Sequence, residues 1–355
     1  MYEITIINLK RFKMKFSNFI FALLLGGLVI YSPGCQEISE ELADIEPDGV
    51  DTLEITMIAK SSFNPVFLSA KKGAFQEAAE LSEKYNLLHV TVNWEAPENE
   101  DASVQAEMIR KAVNSGTDAI IVSCSDKDSL TAAINNAVDA GVEVMTFDSD
   151  SPDSKRFAFY GPDDQKMGKM LISRLAELID GKGKIAILGG NPHAPNLQER
   201  VAGMIDTLAQ FPGIENVGVF YHNETEDDAI AQMDSVQKMH PDLKGWAMVG
   251  SWALFGNKLL EKIEPGKIKI VAVDALPVQL KYIKQNYVQV LLGQPTYRWG
   301  KTTVEAIVKK MHEKEKVKEI LRLEAIPVTI ENLGGWSRQL RAWGYTNIPE
   351  EYFVL

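Results

Sequence analysis

The sequence predicts an α/β protein made of two doubly wound parallel sheets, on three observations. From Leu53 onward, apolar runs of strand length alternate with helix-patterned stretches, which reads as βαβ units with right-handed crossovers. Ten such runs exceed one comfortable sheet, so they divide between two. The alternation breaks once, near residues 157–161, where a strand follows Asp148 with no full helix between.

In chain order the predicted strands cover 53–59, 89–94, 119–123, 142–147, 156–160, 184–188, 217–221, 245–249, 268–273 and 288–292. The predicted helices cover 70–85, 104–115, 130–140, 165–179, 197–208, 228–239, 277–285 and 297–314. Gly161 and Pro162 turn the chain into the helix at 165, with Asp163 or Asp164 as its cap. No repeat of 20–50 residues accompanies the alternation.

At 355 residues, 45% hydrophobic and 24% charged, the chain has an ordinary globular composition and the length for two domains. Its net charge is -12, without the basic stripe that phosphate binding demands, so no nucleic-acid partner is expected.

The N-terminus reads as an export leader over residues 1–35. Lys10, Arg11, Lys13 and Lys15 precede the apolar run FSNFIFALLLGGLVIY, which stops at Ser32, Pro33, Gly34 and Cys35. Met14 offers a second start, with MKFSNF as a more usual leader. Gly34 and Cys35 resemble a bacterial lipoprotein cleavage site, with Cys35 the lipidated residue, although Ser32 stands where that pattern carries Leu. Ordinary cleavage and an uncleaved anchor are the alternatives. Residues 36–51, QEISEELADIEPDGVD, hold seven acidic side chains and no basic one, and are expected to form an extended tether. The one other cysteine, Cys124, ends the run AIIVSC and reads as a buried small residue rather than a nucleophile.

Five polar residues share one placement. Asn64, Asp148, Asp274 and Gln294 stand just beyond predicted strands, and Arg200 opens the helix after KIAILGG. In open α/β sheets the ligand crevice lies outside the carboxyl ends of the strands. Each residue alone has a plainer reading: helix caps for the two aspartates, a helix entry for Asn64, a surface charge for Arg200, a turn amide for Gln294. Together they describe a hydrogen-bonding pocket. Its ionised carboxylates only accept, which suits a partner rich in hydroxyl donors. Phe67 and Trp252 are the preferred flat faces beside it, with Phe63 and Trp94 also near strand ends. LGGNPHAPN lacks the glycine and lysine spacing of a phosphate loop, the five His residues show no zinc spacing, and no G-x-S-x-G elbow occurs. No catalytic residue, metal or cofactor is expected.

The segments FNPVFLSAKKGAFQEAAEL, VMTFDSD, FYGPDDQKMG, NLQERVAGM, KIVAVDALP and LLGQPTYRWG resemble, in this order, the type I periplasmic binding proteins. Within them the chain is similar to the ribose/galactose-type sugar-binding proteins, over residues 53–328. The resemblance implies two Rossmann-like lobes joined by a three-strand hinge. The first lobe would hold 52–158 and 295–324, the second 159–294 and 325–355, with the last crossings near 294–296 and 323–325. It also implies that Asn64, Phe67, Asp148, Arg200, Asp274 and Gln294 touch a sugar, and that an ABC permease is the partner. The ribose-binding pattern departs at Val66, Ser149, Gly250 to Ser251 and Glu224, so ribose itself does not carry over. The C-terminal stretch beyond Glu331 is longer than the family needs, and Trp336 and Trp343 suggest a packed, lobe-capping segment.

The resulting expectation is a lipid-anchored, extracytoplasmic, monomeric binding protein for a neutral monosaccharide or similar polyol. One guanidinium against two carboxylates disfavours an anionic ligand. Two rivals share parts of the pocket: a sensor that presents the sugar to a membrane receptor, and a glycosidase using Asp148 and Asp274 as its carboxylate pair.

Overall fold

The structure is a computed structural model that describes residues 51–86 and 88–354. The leader, Cys35 and residues 36–50 of the tether lie outside the described residues. The last tether residue, Asp51, already belongs to the first strand.

The first lobe is built from β1 (Asp51–Ile58), α1 (Val66–Lys84), β2 (Leu88–Glu95), α2 (Ala102–Asn114), β3 (Ala119–Val122), α3 (Lys127–Asp139), β4 (Glu143–Phe147) and β5 (Ala158–Pro162). The second contains α4 (Asp164–Leu178), β6 (Gly183–Gly190), α5 (Pro195–Leu208), β7 (Ile214–Tyr221), α6 (Glu226–Met239), β8 (Leu243–Met248), β9 (Lys269–Val273), α7 (Leu280–Lys284) and β10 (Val290–Gly293). The chain then returns through α8 (Tyr297–Met311) and β11 (Ile320–Leu323) and crosses again to β12 (Ile326–Val328) and α9 (Leu333–Ala342).

Two six-stranded sheets result, ordered β11-β5-β4-β3-β1-β2 and β12-β10-β9-β8-β6-β7. Every pairing is parallel except β10 with β12. The two orders match position for position, apart from the direction of the outermost strand, so β4 corresponds to β9 and α1 to α5. In the first lobe Ile55, Met57, Ala119 and Ile121 face α1 and α8. Their neighbours Ile58, Ile120 and Val122 face α2 and α3. Both faces are covered, which is why these strands read as unbroken apolar runs.

All ten predicted strands and eight predicted helices appear, with ends moved by a few residues. The predicted helix at 277–285 divides into a 3-10 turn, Pro277–Gln279, and the short α7. β5 pairs with β4 and with β11, so the first sheet extends to Pro162 and the crossing follows there, not at residue 158. β11, β12 and α9 are additional. Two of them are strands of three or four residues, too short to show a period.

The helices that flank the crossings meet backbone to backbone. A Cβ at Gly300 of α8 would overlap the Ala70 carbonyl of α1, and one at Gly168 of α4 would overlap the Arg200 carbonyl of α5. The C-terminal segment packs as expected of a cap. Trp336 donates Nε1–H to the Ala275 carbonyl at 2.6 Å, while the Trp343 ring lies parallel to Tyr297 with centroids 6.3 Å apart.

Cys124 is fully buried behind β3, and burial pushes its thiol well above the usual range. In folded protein it should therefore resist maleimide at neutral pH and react only after unfolding. Mass-spectrometric detection of rapid labelling on the native Cys124 peptide would contradict this placement.

Candidate functional site

The two carboxylates that open the site occupy equivalent positions. Asp148 follows β4 and Asp274 follows β9, and both adopt left-handed backbone, with φ of 57° and 77°. That region is unfavourable for a residue with a Cβ. Each is held there by the ladder: Asp148 N–H donates to the Tyr160 carbonyl (3.1 Å) and Asp274 N–H to Leu292 (2.9 Å). The backbone turn ends the strand and aims the side chain into the interlobe cleft.

Asp148 Oδ2 accepts from Ser123 Oγ at 2.7 Å and lies 3.6 Å from Lys60 Nζ. Asp274 Oδ1 accepts from Gln294 Nε2 at 2.8 Å. Burial raises the Asp274 pKa, against the opposing pull of Arg200 and Gln294. Gln105 braces the ends of β1 and β3 by donating to the Ala59 and Ser123 carbonyls and accepting from Ser125 N–H.

Arg200 sits near the start of α5 and is 3% exposed. Its Nε donates to Asp164 Oδ1 at 2.7 Å and Nη1 to the Val249 carbonyl at 2.8 Å, whereas the buried Nη2 has no protein partner. Gln294 likewise leaves Oε1 buried and unpaired. Orphaned buried polar atoms are uncommon and costly, so a donor and an acceptor facing one cleft mark it as built for something polar.

Asn64 combines both of its sequence readings. Its Oδ1 accepts from Val66 N–H at 3.2 Å and so opens α1, while the residue also lines the cleft. Phe67 packs with Phe147 and Trp299, ring centroids 6.2 and 6.0 Å away, and forms the cleft wall as the edge of a core cluster. Trp252 stands in a short 3-10 turn against His222, 5.2 Å between centroids, beneath Gly190 and Gly250.

All seven residues named from the sequence thus converge on one pocket, Asn64, Phe67 and Asp148 from the first lobe, Arg200, Trp252, Asp274 and Gln294 from the second. Its volume is about 40 Å³. At 10–15 Å³ per water this is room for about three waters, so any larger ligand requires the walls to part.

The pocket also contains Lys60, Glu100 and Asn196, which sequence reasoning missed, and Glu224, which the sequence marked only as a departure from the ribose-binding pattern. Lys60 is 3% exposed and its Nζ donates across the lobes to Asn196 Oδ1 at 3.0 Å. Burial works against its charge, but Asp148, Glu100 and Glu224 outweigh it and its pKa is raised. The sequence signal was a lysine ending the buried run ITMIA, where a solvated side chain is out of place. Glu100 and Glu224 meet from opposite lobes. Burial, then mutual repulsion, pushes Glu224 up to about 8, and burial raises Glu100 despite Lys60.

These shifts set a pH dependence. Glu224 and Asp164, the latter pushed by burial to about 7, have folded pKa values above their ordinary 4.5 and 3.8. The folded form therefore binds protons that the unfolded chain has released by neutral pH. Their contribution to stability is complete below about pH 4 and is lost as pH rises through 7 and then 8. The melting temperature should fall between mildly acidic and mildly alkaline solution, and Glu224→Gln should flatten the upper part of that fall. A melting temperature that climbs over this interval would refute the assignment.

Two α/β lobes of matching topology, with a polar pocket between them fed by strand ends from both, define a hinged ligand-binding protein. The chain matches the family described as a periplasmic binding protein domain over residues 55–315, and it belongs to that family. It is 24% identical over 292 residues to the D-ribose/D-allose-binding protein of Pseudomonas aeruginosa, covering 78% of this chain and 90% of the relative. It is 26% identical to the ribose import binding protein of Bacillus subtilis over 266 residues, 74% of this chain and 83% of the relative. Among solved structures, an ABC transporter solute-binding protein from Burkholderia graminis in complex with D-arabinose superposes with a TM-score of 0.75. Identity there is 28%, covering 80% of this chain and 97% of that one. These relatives are binding proteins, not enzymes, which removes the glycosidase reading.

Proposed function

We propose that this chain is the extracytoplasmic substrate-binding component of an ABC importer, that it is anchored through a lipid on Cys35, and that as a monomer it carries a monosaccharide or similar polyol between its lobes to a membrane permease. The observation that carries the reading is the pair of unpaired buried atoms, Arg200 Nη2 and Gln294 Oε1, facing a cleft already lined by Asp148 and Asp274. Hydroxyl groups donate and accept at once, so a polyol can complete all four. The names of the ribose- and arabinose-binding relatives point the same way.

Each lobe supplies part of the pocket, so a ligand touches both only when they are closed. That difference in affinity shifts the population toward closure. Phe67 and Trp252 offer apolar faces to ring C–H groups, and Asn64 adds an amide at the rim.

Isothermal titration calorimetry over a panel of pentoses, hexoses and polyols tests the proposal. Asp274→Ala is expected to weaken the best ligand by about ten- to a hundredfold, the effect of losing a charge-assisted acceptor worth about 1.5–3 kcal/mol. A panel in which no sugar or polyol binds the unaltered protein would remove it. Metabolic labelling with a radioactive fatty acid tests the anchor, and Cys35→Ser should abolish the label.

A further inference from the structure

We infer that the ligand's ring carries an amino group, seated as its ammonium ion between Glu100 and Glu224; this rests on the sugar-binding reading above. Glu100 lies in the loop between β2 and α2 of the first lobe, and Glu224 between β7 and α6 of the second. Both line the pocket, one from each lobe, and the charge of Glu100 repels that of Glu224. Two carboxyl groups that face one buried cleft are less strained when one of them keeps its proton. Glu224 Oε1 accepts from Asn191 N–H at 2.9 Å, while Glu100 Oε2 is buried without a donor of its own.

The charge count points to what replaces that proton. Four carboxylates line the pocket, Asp148, Asp274, Glu100 and Glu224, against Lys60 and Arg200. Arg200 is already paired with Asp164, and Lys60 lies against Asp148 and Asn196. The count from the sequence, one guanidinium against two carboxylates, favoured an uncharged ligand; the folded site adds more acid than base. Unpaired buried charge is costly, and burial accordingly raises the pKa of Glu100, Glu224 and Asp274, to about 8 at Glu224. A cation does the same with better geometry, because an ammonium offers three donors where a hydroxyl offers one.

The charged groups facing the carboxyl pair are Lys60 and Asp148; His222, whose pKa burial lowers to about 4, accepts from the Glu224 N–H at 3.0 Å. Lys60 opposes a second cation but is outnumbered. Arg200 Nη2 and Gln294 Oε1, each on a side chain more than nine-tenths buried, then fix the ring beside the ammonium. The proton balance is simple. The ligand enters as its ammonium form, Glu224 ionises, and its proton passes to the buffer.

The test is calorimetry near neutral pH in two buffers of different ionisation enthalpy. Glucosamine, galactosamine and mannosamine are compared with glucose, galactose and mannose, alongside ribose and arabinose. At least one amino sugar should bind about tenfold more tightly than its parent, the scale of a charge-assisted contact. Its apparent enthalpy should depend on the buffer, with release approaching one proton per protein. Glu224→Gln should remove both the preference and the buffer dependence; Glu100→Gln gives the same readout if the first variant does not melt cooperatively. Parent sugars that bind as tightly as their amines, or a preference that survives both substitutions, would overturn the inference and leave sugar binding standing. Binding of none of the eight probes would also overturn the inference, and the wider panel of pentoses, hexoses and polyols then decides the sugar-binding reading.

Discussion

Arg200→Ala is expected to abolish measurable ligand binding and to destabilise the protein by about 3–5 kcal/mol, the range for breaking a buried ion pair by deleting one partner. The guanidinium holds three things together. It pairs with Asp164 at the crossing into α4, it satisfies the Val249 carbonyl beyond β8, and it presents Nη2 to the cleft. Without it Asp164 is left as a buried carboxylate and takes up a proton. Because Asp164 is already pushed to about 7, that uptake should extend to still higher pH. Arg200→Lys should recover part of the charge but not the planar fork that reaches Asp164, Val249 and the cleft at once. Urea unfolding and calorimetry on both variants measure the two effects. An alanine variant that kept full affinity would show that Nη2 is not part of the ligand site.

Gly168→Ala is expected to lower stability by about 1–3 kcal/mol, although alanine is intrinsically the better helix former by about 1 kcal/mol. The added methyl would overlap the backbone carbonyl of Arg200 where α4 crosses α5, and a carbonyl cannot turn aside as a side chain can. Relief requires α5 to shift, which also displaces Arg200, so affinity should fall together with stability. Gly335→Ala on α9 is the control: its Cβ meets only the tip of Arg338, 3.9 Å away, and the change should be neutral or mildly stabilising. Thermal melts of the two variants moving in opposite directions would support the close crossing. A stabilised Gly168→Ala would refute it.

The two halves of the site were legible in the sequence to different degrees. Asp148 and Asp274 could be read because each ends an apolar run, and the end of a buried parallel strand leads to the crevice whatever the fold's details. Gln294 and Asn64 were legible for the same reason. Lys60 ends such a run as well, yet a lysine is ordinarily solvated; only the fold reveals that Asp148 and Asn196 receive it. Glu100 and Glu224 lie in loops among many acids, and nothing local separates them from surface charge. They stand 124 positions apart in the sequence and share a pocket only because the lobes face each other.

Among the elements the same division holds. Continuous β-branched runs and amphipathic helices announce themselves through composition and period, so the principal strands and helices were readable with their order. β11 and β12, at four and three residues, have no period, and they become strands because β5 and β10 present open edges to them. The crossing after Pro162 belongs to this second kind, since strand membership is a matter of partners.

By itself the sequence determined the alternating elements, the two-lobe family and the polar residues at the strand ends, because these depend on local pattern. Tertiary structure alone decided that β5 stays in the first sheet through Pro162, that Lys60 bridges to Asn196, and that two distant glutamates face one cleft. Those outcomes depend on which surfaces meet and on how much water is excluded between them, and charge and pairing in the cleft follow from that exclusion.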